Sequence, residues 1–459
     1  MSFNKILRFG SLLRDWNDCP NGRFRLVILT YRTSSLIVMN KSPTYQKIRA
    51  VMANVLTVSV RPTLNHGRTP LSAIIHLVLL TVIGAGLGRA SEALPNGLYS
   101  EITSECGVIV GELYYQKVPL TVINFVGLAE GTLGPTPRKP FYDGLTWCRV
   151  VPGLVVQGGD PTGTGDGDAG YLFPDEIVPG LRHDSLGTMQ MGNDGPDTNG
   201  SQYCMMLSAQ HRLNYQHNVF GRVIRGLELL PKIKQGDTMR VKILRVGADA
   251  QAFRADDDTF AALLAKAKRY AGPREPCPDA AFADPDQLLP KEWDRAKNFN
   301  YKLTNFERFT GSKLVARLID HSPPSALGDQ RDVWLQTEAL RLGVAKRGAL
   351  VIYIAQEARW CLRIGDESVA HFLQTGPNGE PGMTSTSVLE AQEKIIHAAI
   401  SRAADTIAAM IKRLPPDDPM TVQRRLKLIT DAVLDGLIFK LENESTSLVP
   451  PLTPTTSQP

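Results

Sequence analysis

Short β-like segments separated by turn residues are the feature that most limits how this chain can fold. Between residues 97 and 248, apolar and β-branched runs alternate with clusters of Gly, Pro, Asn and Asp, which end one strand and turn the chain into the next. The spacing predicts an all-β barrel or sandwich. One helix is expected at 119–129, because Pro119 suits a first helical position. The candidate strands are residues 98–103, 108–115, 145–151, 219–224 and 239–246.

A glycine-rich stretch, VQGGDPTGTGDGDAG at 156–170, raises the question of a ligand-binding loop. Gly165, Gly167 and Gly170 satisfy the nucleotide-binding pattern G-x-G-x-x-G. However, Pro174 opposes the helix that this pattern needs after the loop. A calcium loop is also disfavoured, because Gly170 occupies the position of the third ligand. A glycine-rich surface loop is the favoured interpretation.

The composition narrows the classes of protein to consider. A chain of 459 residues predicts two or three domains. The net charge is only +5 and no basic block carries interleaved aromatic residues, so nucleic-acid binding is not supported. The six cysteines are scattered and form no C-x-x-C pair, which argues against a zinc site and a dense disulfide framework. No metal site is therefore predicted.

An apolar run at residues 71–88 predicts that the protein is exported. Basic residues precede the run, and the small residues of RASEA (89–93) follow it, as in a signal peptide with a cleavage site. Met52 would give the basic region an ordinary length. We therefore interpret residues 1–51 as an over-extended N-terminus and 52–93 as the signal peptide. The alternative is an uncleaved membrane anchor, since the run is just long enough to span a bilayer. Both interpretations predict a periplasmic or extracellular protein, which contacts the membrane only through such an anchor.

The chain changes character after residue 248. Residues 249–298 form a predicted connector, with a helix at 256–270 followed by a Pro-rich linker. Residues 299–442 combine helical and strand-like runs, which is typical of an α/β domain. Residues 443–459 are rich in Ser, Thr and Pro and are predicted to be disordered. Within the α/β region, helices are expected at 333–342, 388–413 and 420–441, and two strands at 348–365.

Three motifs follow one another in the β-rich region. RVVPG at 149–153 runs into QGGD at 157–160, MGNDGPDTNGSQ follows at 191–202, and HNVFGRV lies at 217–223. In order and spacing these motifs resemble the cyclophilin family of peptidyl-prolyl cis–trans isomerases, over residues 97–248. The resemblance implies an eight-stranded antiparallel β-barrel with two capping helices. It also makes the glycine-rich stretch a connecting loop rather than a ligand cradle.

The resemblance implies a catalytic role for three residues. An X–Pro bond rotates slowly because its amide has partial double-bond character; no bond is made or broken, so neither metal nor cofactor is required. Arg149 matches the residue whose guanidinium hydrogen-bonds the prolyl nitrogen and favours its pyramidal state. Gln157 matches the residue that orients this arginine and contacts the substrate carbonyl. Asn193 matches one that pairs with the substrate backbone. The implied partners are proline-containing polypeptides.

The residues implied to bind the substrate depart in part from the family pattern. Leu154 and Val155 stand where the family usually has Phe and Met. Cys204 replaces a floor phenylalanine, and Arg212 stands where a ring is common. A looser proline site and reduced activity are therefore expected. Pro231 is expected to shorten or kink the second capping helix. The full set of implied substrate-binding residues is Leu154, Val155, Gly192, Gln202, Cys204, Arg212, Leu213 and His217.

A second resemblance lies in the α/β region. RLGVAKRGALVIYIAQEARWCLRIG at 341–365 is similar to the TPM domain family, over residues 305–435. This likeness implies a C-terminal α/β sandwich domain of a kind found mainly outside the cytoplasm. Phosphatase activity is known in some members of that family.

These features predict a multi-domain, exported peptidyl-prolyl cis–trans isomerase that assists the folding of other exported proteins. One alternative is an envelope protein that binds proline-containing segments, or acts as a scaffold, with little catalysis. A second alternative places phosphatase activity in the C-terminal domain.

Overall fold

The computed structural model describes residues 93–275, 277–290, 295–326, 330–373, 385–411 and 419–446. The predicted over-extended N-terminus and signal peptide, apart from Ala93, lie outside these residues. So does the predicted disordered tail, except that the last helix continues to Thr446. Within the described ranges, no helix combines the length and the apolar character needed to cross a membrane.

An eight-stranded antiparallel sheet forms the first part of the fold. Its strands are β1 Gly97–Ser104, β2 Gly107–Leu113, β3 Arg149–Val151, β4 Val155–Gly158, β5 Thr188–Met191, β6 Tyr203–Met206, β7 Val219–Arg225 and β8 Met239–Val246. Hydrogen-bonded neighbours follow the order β3-β4-β6-β5-β7-β2-β1-β8, and every pairing is antiparallel. The all-β prediction for this region is confirmed, as is the strand number that the resemblance implied.

The two edges of this sheet meet. Thr146 and Thr238, which lie just before β3 and β8, form an antiparallel bridge. Beside the bridge, the Met239 amide donates to the Leu145 carbonyl at 2.8 Å. Since an open sheet edge leaves backbone groups unpaired, these contacts satisfy groups that would otherwise need water. The sheet therefore curls into a barrel.

A buried helix, α1 (Pro119–Glu130), packs into the core of the barrel. All side chains from Leu120 to Ala129 are buried, so the helix is covered on every side rather than along the single stripe expected. Two shorter helices, α2 (Ala248–Ala252) and α3 (Asp257–Leu264), follow β8, and α3 lies against α1. The first capping helix is thus confirmed. The helix predicted at 256–270 is present but ends at Leu264.

The second capping helix is reduced to a single turn. Residues 226–236, where the resemblance implied this helix, contain only a 3-10 turn at Leu230–Lys232. Pro231 explains the difference, because it has no amide hydrogen to continue an α-helical ladder. The implied second capping helix is therefore absent as a full helix, and the shortening agrees with the effect expected of Pro231.

A second sheet of four strands follows. Its strands are β9 Phe282–Ala283, β10 Leu314–Ile319, β11 Ala349–Ile354 and β12 Arg359–Ile364, in the order β12-β11-β10-β9. Strands β9, β10 and β11 run parallel, whereas β12 is antiparallel to β11. Strand β9 belongs to the predicted connector at 249–298. The connector therefore contributes an edge strand and is more than a linker.

Helices pack against both faces of the second sheet. They are α4 Arg295–Thr310, α5 Arg331–Arg341, α6 Val369–Leu373, α7 Ser385–Ile411 and α8 Pro419–Thr446. Ala316, Val351 and Leu362 are cross-strand partners, and they pack with buried residues of α4 and α8. Val315 and Leu350 point the other way and pack with α5. This region therefore combines a sheet with helices, and its likeness to the TPM family stays a prediction.

The barrel core provides a test of the fold. Phe125 is fully buried and its ring centroid lies 5.2 Å from Tyr203 and 5.1 Å from Phe220. Phe125→Ala should lower the free energy of unfolding by about 3–5 kcal/mol, because it removes a large apolar side chain and leaves a cavity. Leu340→Ala is the control, since Leu340 is 63% exposed. Denaturant unfolding, monitored by near-UV circular dichroism, measures the midpoint of each variant. Equal midpoints for the two variants would contradict this packing.

Candidate active site

The two main catalytic candidates face each other across neighbouring strands. Arg149 on β3 pairs with Gln157 on β4, and Gln157 pairs with Cys204 on β6. Cross-strand partners share one face of a sheet, so these three side chains form a row. Within the row, the Arg149 Nη1 donates to the Gln157 Oε1 at 3.2 Å. The guanidinium is exposed, and its hydrogen-bond donors therefore remain accessible to a ligand.

An apolar floor lies on the same face, next to this row. Val151, Val155 and Met206 are cross-strand partners one step further along, and they cluster with Cys204. Leu154 and Leu213 pack at the edge of the cluster. The structure thus brings together the floor residues that the resemblance implied. Met206 was missed, although the two-residue period of a strand puts it on the same face as Cys204.

The floor is recessed beneath its rim. Val155 and Cys204 are each 4% exposed, whereas Leu154 and Leu213 are half-buried. Burial raises the pKa of the Cys204 thiol to about 12. The thiol is therefore protonated at neutral pH and acts as a small apolar group rather than as a nucleophile.

A chain of amides connects Arg149 to the glycine-rich loop. Gln157 Nε2 donates to Gln202 Oε1 at 2.7 Å. The Gln202 Nε2 donates in turn to the carbonyls of Gly165 and Gly167, at 2.7 and 2.9 Å. Gln202 therefore fixes the amide that orients the arginine, and the glycine-rich loop serves as its anchor. Among the described residues, no group of three His, Cys, Asp or Glu side chains is placed to hold a metal ion.

Gly192 and Asn193 lie beside Gln202, but their polar groups are already engaged. The Gly192 amide donates to the Gln202 carbonyl at 2.8 Å. The Asn193 Nδ2 donates to the Gln216 carbonyl at 2.8 Å and to Asn199 Oδ1 at 3.3 Å. The Asn193 side chain therefore ties two loops together. The pairing of Asn193 with a substrate backbone stays a prediction.

His217 and Arg212 occupy the rim in different ways. The His217 Nδ1 lies 3.1 Å from the Met191 carbonyl oxygen, and burial lowers the pKa of this imidazole to about 4. The ring is therefore neutral at pH 7 and donates through Nδ1. The Arg212 Nε donates to Gln210 Oε1 at 3.2 Å. Its side chain thus contacts another residue of the rim.

Comparisons with known proteins identify the family. Residues 99–248 match the family model described as cyclophilin type peptidyl-prolyl cis-trans isomerase/CLD. A probable peptidyl-prolyl cis-trans isomerase A from Mycobacterium leprae is 46% identical over 124 residues, which are 26% of this chain and 68% of that protein. The chain thus spans about two thirds of this mycobacterial relative.

Two eukaryotic relatives match over more of their own length. Peptidyl-prolyl cis-trans isomerase CYP18-2 from Arabidopsis thaliana is 39% identical over 165 residues, covering 33% of this chain and 96% of the relative. Peptidyl-prolyl cis-trans isomerase-like 1 from Mus musculus is 39% identical over 147 residues, covering 31% of this chain and 82% of the relative. The chain therefore belongs to the cyclophilin family and is an enzyme of the peptidyl-prolyl cis–trans isomerase class.

Proposed function

We propose that Arg149 accelerates rotation about X–Pro bonds by stabilising the twisted amide. The observation that carries this proposal is the exposed Arg149 guanidinium, held by Gln157 at the edge of an apolar floor. Rotation removes the conjugation between the prolyl nitrogen and its carbonyl, so the nitrogen becomes pyramidal and regains a lone pair. A guanidinium hydrogen bond to that lone pair exists only in the twisted state. It therefore lowers the barrier rather than merely strengthening binding.

The other site residues have supporting roles in this proposal. The proline ring rests on the floor between Leu154 and Leu213, whose apolar side chains are partly exposed. Gln157 and Gln202 keep the guanidinium in place at no cost in reorganisation during the reaction, because their hydrogen bonds already exist. Aliphatic and thiol groups at the floor offer less contact area than aromatic ones, by about 1–2 kcal/mol of burial each. Weak substrate binding, with a high KM, is the expected result.

The substrates in this proposal are proline-containing segments of exported polypeptides. Support for export is the apolar run at 71–88 with small residues after it. Binding without catalysis is the second candidate; it is favoured by the floor, where Leu154, Val155 and Cys204 stand in place of the side chains usual in the family. The phosphatase alternative for the C-terminal domain stays a prediction that rests on the TPM likeness.

Replacing Arg149 tests the proposal directly. Arg149→Ala should lower kcat about 10²–10³-fold, the usual effect of removing one donor from a site that stabilises a transition state. Gln157→Leu should have a smaller effect, because the guanidinium loses its orientation but keeps its charge. Two-dimensional exchange NMR on an Ala-Pro-containing peptide, with the full chain as enzyme, measures both rates.

Two results would refute parts of this account. Equal, catalysed rates for the wild type and Arg149→Ala would mean that the arginine assignment is wrong. A wild-type rate equal to the uncatalysed one, together with saturable peptide binding, would leave the binding candidate in its place.

The pH profile is a further test. The pKa of His217 is lowered to about 4 and that of Cys204 is raised to about 12 by burial. His217 is neutral well above pH 4, and Cys204 keeps its proton well below pH 12. We therefore expect kcat/KM to be flat between about pH 6 and 9, because neither group changes charge there. A bell-shaped profile in this window would show that a titrating group takes part in the reaction.

A further inference from the structure

Helix α4, which packs on the second sheet, also contacts the border of the apolar floor. Lys302, Asn305 and Arg308 follow one another at intervals of three along this helix and therefore share one face. Two loops of the barrel lie against that face. We name them the rim loop, residues 209–217, and the Asn193 loop, residues 192–199.

The rim loop is held through its backbone on both sides of Leu213. The Lys302 Nζ donates to the Arg212 carbonyl at 3.4 Å, and its side chain is fully buried beside Asp435. The Asn305 Nδ2 donates to the Tyr215 carbonyl at 3.1 Å. Contacts from outside the barrel therefore help to fix the position of Leu213, and with it the edge of the floor.

The Asn193 loop is held by the same helix. The Arg308 Nη2 donates to Asp197 Oδ1 at 2.8 Å, and only 7% of the Arg308 side chain is exposed. Asn305 also reaches Asp175, whose backbone amide donates to Asp197 Oδ1 at 3.0 Å. Because Asn193 is bonded to the Gln216 carbonyl, the two loops form one unit beside α4.

Both loops contain a residue in the left-handed backbone region. Tyr215 has a φ of 63° and Asp197 a φ of 59°. Residues other than glycine rarely adopt this backbone conformation, and it persists where the surrounding structure fixes it. Glu442 of α8 adds a further constraint, since its Oε1 accepts from the Tyr215 hydroxyl at 2.7 Å. These two residues with left-handed backbones are therefore also held by contacts from outside the barrel.

We propose that Lys302, Asn305, Arg308 and Glu442 are positioning residues for the isomerase site. They hold Leu213 and the Asn193 loop in the arrangement that receives the proline, so the helices around the second sheet are part of the working site. This inference rests on the proposed function. Since the rim contacts planar and twisted substrate alike, displacing it should raise KM and leave kcat nearly unchanged.

The test uses two variants of the full chain. Asn305→Ala removes the hydrogen bonds to the Tyr215 carbonyl and to Asp175 Oδ2. Tyr215→Phe removes only the hydroxyl that donates to Glu442 and keeps the ring, so it is the milder variant if Asn305→Ala folds poorly. Tyr215→Phe should raise KM for an Ala-Pro-containing peptide about five- to tenfold, the effect of one lost buried hydrogen bond, and Asn305→Ala should raise it at least as much. Glu307→Ala, at an exposed position of α4, should leave KM unchanged. A purely structural defect would instead reduce the active fraction and lower apparent kcat at constant KM.

Amide hydrogen exchange provides a readout that does not need catalysis. Residues 209–217 should exchange faster in both variants, while the strands β1–β8 keep their protection. Unchanged KM and unchanged exchange in both variants would overturn the inference. If the wild type does not accelerate rotation, the proposed function fails. Amide exchange alone then decides whether α4 and α8 hold the rim loop, and unchanged exchange in both variants would show that they do not.

Discussion

The pairing register of β3, β4 and β6 is the constraint on which the site depends. Side chains alternate between the two faces of a strand, so this register places Arg149, Gln157 and Cys204 together on the outer face. The same register sends Val156 and Met205 into the barrel core. A slip of one residue would exchange the two sets and bury the arginine. The packed core and the assembled site are therefore specified by the same hydrogen bonds.

Much of the barrel follows from local patterns in the sequence. Turn clusters delimited the five predicted strands, because Gly, Asn and Asp tolerate the backbone angles that turns need, whereas β5 and β6 were not predicted individually. Family motifs placed Arg149 and Gln157 together. Met206 lies outside those motifs, so matching the motifs could not identify it. Strand β9 was assigned to a linker, because two residues show no periodicity and prolines lie nearby. A strand this short, which forms only because a neighbouring strand pairs with it, leaves no pattern in the sequence.

The contacts of α4 with the barrel could not have been predicted from the sequence. Asn305 and Tyr215 are 90 residues apart, and no local pattern links them. Their contribution to stability can be seen only in the folded structure. A left-handed conformation costs a residue such as Tyr215 about 1–2 kcal/mol. Each buried hydrogen bond of this residue contributes about 1 kcal/mol net, so the bond that it accepts from Asn305 and the bond that it donates to Glu442 offset that cost.

The left-handed backbone at Tyr215 has a consequence for a barrel separated from the rest of the chain. Such a barrel would keep Arg149 but would carry a tyrosine in a geometry that only glycine adopts freely. Because it would lack Asn305 and Glu442, the cost of that conformation, about 1–2 kcal/mol, would no longer be offset. Excision of the barrel alone is therefore better tolerated when glycine replaces Tyr215.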